Sequence, residues 1–398
     1  MIPSTSDSVY LDNAATTRLD PEVLEAMLPL MTEQFGNPSS IHSHGRKVRS
    51  AIEKARKTVA SLLNTSPAEI FFTSGGTEAD NTAIMGSLET YGITHAITSP
   101  LEHHAVLHTL EHAAKEGLIT LDLVQVGPDG TLDLNHLEVL LSKGRAEFPN
   151  GSLVSLMHGN NEIANLLPLE QVGAMCREYG AVFHSDTVQT MGHYRHDLQT
   201  LPVDFIVGAA HKFHGPKGVG FLYANGETRA NRGPIHPFIH GGAQERNQRG
   251  GTENVYGIIG LAKALEIAYR DMDAHRQHIQ GLKKRMIERL RERFDDVRFN
   301  GASADCENSL YTVLNVSLPQ SDMSDMLLFN LDIAKISASG GSACSSGSNI
   351  GSHVLAALPG LDPNRGYVRF SFGKYNTTEE IDYAVDTLVG LYNKELSL

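Results

Sequence analysis

Five side chains suited to cofactor chemistry fall at the ends of apolar runs that read as buried strands. Lys212 lies between the runs 203–209 and 219–223, with small residues before it and glycines after it. Such a setting lets a planar aldehyde cofactor and the backbone approach closely, and the lysine can form an imine with it. Asp186 follows the run 181–184, where a carboxylate can keep a ring nitrogen protonated, and Gln189, three residues on, can reach a ring hydroxyl. His103 follows the run 96–98 and can stack on a ring face. In Ser74-Gly75-Gly76-Thr77 a strand passes through glycine into a helix, whose free N–H groups and dipole at Gly76 and Thr77 suit a phosphate. Lysine, carboxylate, ring cover and anion site are the four things pyridoxal phosphate asks of a protein. Each has an ordinary reading when taken alone. Lysines are usually at the surface, Asp after a strand is usually a cap, a His-His pair is usually exposed, and Thr77 with Glu78 and Asp80 can simply start a helix.

To bring these residues together, the elements between them must form a sheet. Strand patterns at 96–98, 119–126, 153–157 and 181–184 alternate with helical patterns at 101–116, 134–141 and 169–179. Earlier, Asp20-Pro21-Glu22 caps a helix running to about Phe35, and residues 45–63 carry apolar positions at helical spacing. That rhythm implies an α/β fold with a mostly parallel sheet, whose ligands gather at the carboxyl ends of the strands. From about residue 254 the pattern becomes a long helical region to 298, then a strand at 312–316 and a helix near 322–331. We read a large domain over 16–260 and a smaller α+β domain, with antiparallel strands, formed by 1–15 and 261–398. The charge-rich stretch 276–298 reads as a solvated helix face.

Composition narrows the partners. A chain of 398 residues with 41% hydrophobic and 20% charged residues can bury a large core. The formal net charge of −13 argues against nucleic acid, which needs concentrated positive charge. No apolar run approaches a membrane span and residues 1–9 lack a signal-peptide pattern, so the expected location is the cytoplasm. Three cysteines, Cys176, Cys306 and Cys344, are too few for a disulfide framework, and the 19 histidines show no metal-ligand spacing. No metal is expected.

The segments Leu11-Asp12-Asn13-Ala14-Ala15-Thr16-Thr17, Phe72-Thr73-Ser74-Gly75-Gly76-Thr77-Glu78, Glu102-His103, Asn160-Asn161-Glu162, His211-Lys212 and 246–252 resemble those of the cysteine desulfurases, class V aminotransferase-like enzymes. The resemblance covers nearly the whole chain. It implies the type I pyridoxal-phosphate-dependent transferase fold, a homodimer, L-cysteine as substrate, and a sulfur acceptor such as an iron-sulfur scaffold protein. It also implies that His211 joins Thr77 at the phosphate, that Thr252 reaches the phosphate of the neighbouring subunit's cofactor, and that Arg369, Asn161 and Asn13 bind substrate. Residues 336–353, rich in glycine and serine, read as a mobile loop carrying Cys344, which has no packing role there. By the resemblance Cys344 is the nucleophile that takes sulfur as a persulfide, with Lys212 as base and His103 receiving the thiol proton. A selenocysteine lyase or another enzyme of the same fold is the alternative. Two departures stand out. Gly208-Ala209-Ala210 offers no hydroxyl where relatives commonly have a phosphate-binding serine, and Ala164 stands where they have glycine.

Overall fold

A computed structural model of the chain describes residues 8–321, 324–340 and 352–395. Its centre is a seven-stranded sheet built from β2 (Ile70–Thr73), β3 (His95–Thr98), β4 (Thr120–Leu123), β5 (Leu153–Ser155), β6 (Val182–Ser185), β7 (Phe205–Ala209) and β8 (Gly220–Ala224). β1 (Val9–Tyr10) lies elsewhere. The strand order is β2-β8-β7-β6-β5-β3-β4, and only β8 runs antiparallel to its neighbours.

Period-two alternation decides which face each residue serves. Phe72, Ile97, Val154, Phe183, Ile206 and Phe221 enter one apolar core, while their neighbours Phe71, Ala96, Leu153, Val182, Phe205 and Leu222 enter another. The first core is covered by α1 (Pro21–Thr32), α2 (Ser43–Leu62), α5 (Leu134–Glu147), α6 (Leu169–Tyr179) and α9 (Val255–Arg270). The second is covered by α3 (Gly76–Tyr91) and α4 (His104–Lys115). Asp20 caps α1 by accepting from Glu22 N at 2.8 Å, with Pro21 at its first position. α1 stops at Thr32, three residues short of the expected Phe35.

Two short helices, α7 (Gly226–Arg232) and α8 (Gln244–Asn247), follow β8. In α8, Glu245, Arg246 and Asn247 have φ of 45°, 57° and 64°. A left-handed turn of three non-glycine residues is unfavourable by itself. A buried ion pair holds it, with Arg56 Nη1 2.7 Å and Nη2 2.8 Å from the two oxygens of Glu245.

A third apolar core gathers α10 (Met272–Arg293), α11 (Leu327–Ile333) and α13 (Thr378–Glu395) around β10 (Val313–Gln320) and β12 (Arg365–Ser371). β12, β10 and β9 (Arg298–Phe299) form an antiparallel sheet, but β1 pairs in parallel with β11 (Ile336–Ser337). That parallel pair joins sequence-distant segments, which local pattern could not reveal. The charge on α10 meets α13 through Arg285–Asp382 at 2.6 Å and Arg289–Asp386 at 2.7 Å, exposed pairs worth little each.

Residue 260 falls inside α9, whose Leu261, Leu265 and Tyr269 pack into the large core. Ala164 has φ of 63° and is fully buried beside Ala14, Leu310 and Val313. Its strain of ~1–2 kcal/mol is offset in part by burying a methyl group, about 0.8 kcal/mol. No helix among the described residues is long and apolar enough to cross a membrane.

Candidate active site

The carboxyl ends of the strands open onto a cleft of about 270 Å³ lined by Ala14, Gly76, Thr77, Asp80, His103, Asn161, Asp186, Gln189, His211, Lys212 and Arg369, among others. Each strand delivers its residue for a local reason. β7 ends in a turn of 3₁₀ helix, Ala210–Lys212, that points Lys212 inward. β6 ends at Ser185, so Asp186 is the first residue beyond the sheet. His103 is the N-cap of α4, and helix α3 opens at Gly76 with no side chain capping it.

Lys212 Nζ donates to the carbonyls of Ala14 and Ala15, the latter at 3.0 Å, and Gln189 Nε2 donates to Ala14 O at 3.0 Å. The loop after β1 therefore roofs the cleft. It is strapped down by Ala14 N donating to Ser371 Oγ at 2.8 Å and by His211 Nδ1 meeting Thr16 Oγ1 at 3.1 Å. Burial, then Lys212 and Lys217, push His211 down to about 4, so its ring is neutral.

Asp186 is buried, and burial raises its carboxyl against the opposing pull of His103, the Val188 N–H at 2.8 Å and Lys212. A cationic ring nitrogen would satisfy that carboxylate. His103 Nδ1 accepts from Ala105 N at 3.1 Å. A backbone N–H can only donate, so the neutral ring carries its hydrogen on Nε2. Burial lowers the basicity of His103, with Asp186 opposing.

The anion end of the cleft is narrow. A Cβ built on Gly76 would come within 2.8 Å of Val188 Cγ2 and 3.7 Å of the Ala209 methyl. Where a serine hydroxyl was missing from the sequence, the structure thus puts a methyl, leaving the amides of the uncapped α3 terminus, Thr77 and His211 as donors. Uncapped amides, a position that admits only glycine and a buried carboxylate across from Lys212 fit pyridoxal phosphate.

At the opposite wall Arg369, 2% exposed, donates from Nη2 to Asp12 Oδ1 at 2.9 Å and from Nη1 to Asn161 O at 3.1 Å. Its Nε is buried without a partner among the described residues. Arg369 lines the cleft, and a guanidinium there is equipped for a carboxylate.

Not every expected residue arrives. The side-chain amide of Asn13 is committed to Ser371 O at 2.9 Å and Asn376 Oδ1 at 3.1 Å, and Asn13 does not line the cleft. Thr252 is exposed and lies outside this chain's own cleft. Cys344 lies outside the described residues. Both flanks of its segment are nevertheless at the site. Ser339 exchanges backbone hydrogen bonds with Arg369 at 3.2 and 2.6 Å, and His353 Nε2 lies 2.9 Å from the carbonyl oxygen of Glu102.

Sequence reasoning read Asp80 only as part of a helix start and gave Asp12 no site role. Asp80, one helical turn beyond Thr77, is a second buried carboxyl in the cleft, 3.3 Å from His184 Nε2. Burial, then Asp186 and Glu102, raise it well above the carboxylate range. Its spacing from Thr77 was the available signal. Asp12 was visible only as part of a loop, and nothing local tied it to Arg369. Among the described residues no group of three or more His, Cys, Asp or Glu could hold a metal.

With this geometry in place, the comparisons are specific. The family model "Aminotransferase class-V" matches residues 9–384. A cysteine desulfurase IscS of Dictyoglomus turgidum is 43% identical over 97% of this chain and 95% of its own. A putative cysteine desulfurase IscS 1 of Bacillus subtilis is 39% identical over 95% of this chain and 97% of its own. Among solved structures, a NifS-like protein superposes with a TM-score of 0.86 at 35% identity, covering 97% of this chain and 100% of that one. SspA in complex with cysteine gives 0.78 at 30% identity, covering 93% and 100%.

Proposed function

The chain belongs to the class-V aminotransferase family and to its pyridoxal-phosphate-dependent cysteine desulfurases, and from that premise we propose how its residues divide the conversion of L-cysteine to L-alanine. The observation that carries the proposal is the meeting of Lys212, Asp186, His103 and Arg369 in one cleft. Pyridoxal phosphate, when bound, supplies an electron sink for the pair left by loss of the substrate's α-proton. Asp186 holds the ring nitrogen, Gln189 the ring hydroxyl, and Gly76, Thr77 and His211 the phosphate. Arg369, a residue of the cleft wall, grips the substrate carboxylate, and Asn161 borders the same space.

Lys212, displaced by the substrate amine, accepts the α-proton, its Nζ oriented by the carbonyls of Ala14 and Ala15. The thiol proton goes to His103. Nε2 already carries the ring hydrogen, so His103 takes the thiol proton at Nδ1, the nitrogen with the free lone pair, and gives up the hydrogen bond from Ala105 N–H as it does so. The Cys344 thiolate then attacks the substrate sulfur. An S–S bond forms, the C–S bond breaks with its electrons returning to the carbon skeleton, and alanine leaves after protonation. Chain length supports delivery by Cys344, since five residues from Ser339 span at most about 17 Å, and Ser339 is paired with a cleft residue.

The further proposals have their own support. A homodimer fits the exposed apolar stripe Leu24, Leu28 and Met31 on α1 with Phe35 and Ile41 beyond it, and an exposed Thr252 that a second subunit could use. Asn13 then acts on substrate only indirectly, through the loop it ties to Ser371. A protein acceptor such as an iron-sulfur scaffold is supported by exposed Phe329 and Ile333 on α11, near Gly340. The free thiols Cys176 and Cys306 suit the cytoplasm. For the division into domains we place the boundary between α9 and α10, because α9 packs with the large core.

Purified holoenzyme with L-cysteine and a reductant should yield alanine and sulfide in equal amounts. Lys212→Ala should abolish turnover, and Cys344→Ser should keep the cofactor's colour and lose sulfide release. Sulfide from the serine variant at the parent rate would show that Cys344 is not the nucleophile.

A further inference from the structure

Directly after residues 341–351 the chain is fastened to the cleft. Ser352 caps the short helix α12 (His353–Ala356), accepting from Leu355 N at 3.1 Å. His353 Nε2 lies 2.9 Å from Glu102 O, and because a carbonyl only accepts, Nε2 carries the hydrogen. The other ring nitrogen is buried with no partner among the described residues. The imidazole ring sits 4.3 Å from that of His104, which in turn sits 4.3 Å from His108. Beneath it Val354, Leu355 and Leu358 pack against Leu101 and Ile163.

These contacts join a late segment of the chain to the two loops that carry His103 and Asn161. The apolar residues of α12 already supply burial, so the polar contact has another use. It is directional, and it ends on the residue next to His103.

We propose that His353 is a positioning residue for sulfur transfer, its hydrogen bond to the Glu102 carbonyl fixing the chain nine residues beyond Cys344 against the loop that holds His103. This rests on Cys344 being the nucleophile. Losing the bond leaves substrate binding by Arg369 untouched and slows only the step in which the cysteine must meet the substrate sulfur.

Two variants separate the donor from the ring. His353→Phe keeps a ring to stack on His104 and removes the donor, whereas His353→Gln returns an amide N–H near the place of Nε2. Each holoenzyme is mixed with L-cysteine. The substrate-induced change in cofactor absorbance and the persulfide on Cys344, by mass spectrometry after quenching, are followed separately. His353→Phe should leave the absorbance step within about twofold of the parent and slow persulfide formation about fivefold, the effect of one net hydrogen bond, with His353→Gln restoring it. Persulfide formation at the parent rate in His353→Phe overturns the proposal. So does equal slowing of both steps that His353→Gln fails to relieve, which would mark a merely structural residue. Sulfide release by Cys344→Ser at the parent rate overturns the nucleophile assignment itself, whichever way the His353 variants behave.

Discussion

Replacing Arg369 by lysine tests the carboxylate site most directly. The guanidinium already spends Nη2 on Asp12 and Nη1 on the Asn161 carbonyl, and keeps Nε unspent in a buried position. A lysine ammonium is a compact charge without the planar fork, so it can stay with Asp12 or turn to the substrate, and cannot present two parallel donors to both. The variant should therefore lose one hydrogen bond to a charged acceptor, roughly 1.5–3 kcal/mol. At ~1.4 kcal/mol per factor of ten, KM for L-cysteine should rise about 10- to 150-fold, with kcat much less affected because this is binding common to ground and transition states. Alanine production under varied L-cysteine gives both constants, and retained cofactor absorbance shows that the cleft is intact. Cysteamine, which has the amine and thiol but no carboxylate, supplies the control, and its affinity should be unchanged. Equal weakening of cysteamine and cysteine, or a fall in kcat with KM unmoved, would mean that Arg369 serves mainly to anchor Asp12.

Three other outcomes follow from the geometry. Arg56→Ala leaves the buried Glu245 carboxylate with only the Phe72 N–H, at 2.9 Å, among the described residues, and should lower stability in urea by ~3–5 kcal/mol, whereas an Arg56→Met/Glu245→Gln pair should recover most of it. Gly76→Ala drives a methyl onto Val188 Cγ2, costing about 1–3 kcal/mol of strain. It should weaken pyridoxal phosphate in a fluorescence titration, with Val188→Ala added in the same chain restoring affinity. Burial holds Glu102 protonated well above its ordinary 4.5, so the folded state keeps a proton that the unfolded chain gives up as pH rises past that value. Glu102→Gln removes this penalty, and its melting temperature should gain on the parent's as pH rises above the ordinary glutamate range; a constant difference would show that Glu102 is ionised in the fold.

Much of the cleft could be read along the chain because its residues are local to strand ends. A buried strand announces itself by a run of apolar residues, and the chemistry-bearing residue follows within a few positions. Lys212 after β7, Asp186 after β6, His103 after β3 and Gly76 after β2 were all visible on that ground. The alternation that sends Phe71 and Phe72 to opposite cores is equally local. What stayed hidden depends on contacts between distant segments. Arg369 meets Asp12, and Ala14 and Ala15 reach Lys212, because β1 pairs with β11 and the loop beyond β1 is bonded to Ser371. Asn13 directly precedes the cleft-lining Ala14, yet the same strapping turns its amide toward Ser371 and Asn376. Residue types and spacing determined which chemistry the chain can perform. Which side chain faces the substrate was decided by tertiary pairing, since a loop's orientation is fixed by the partners its backbone finds and not by its own composition.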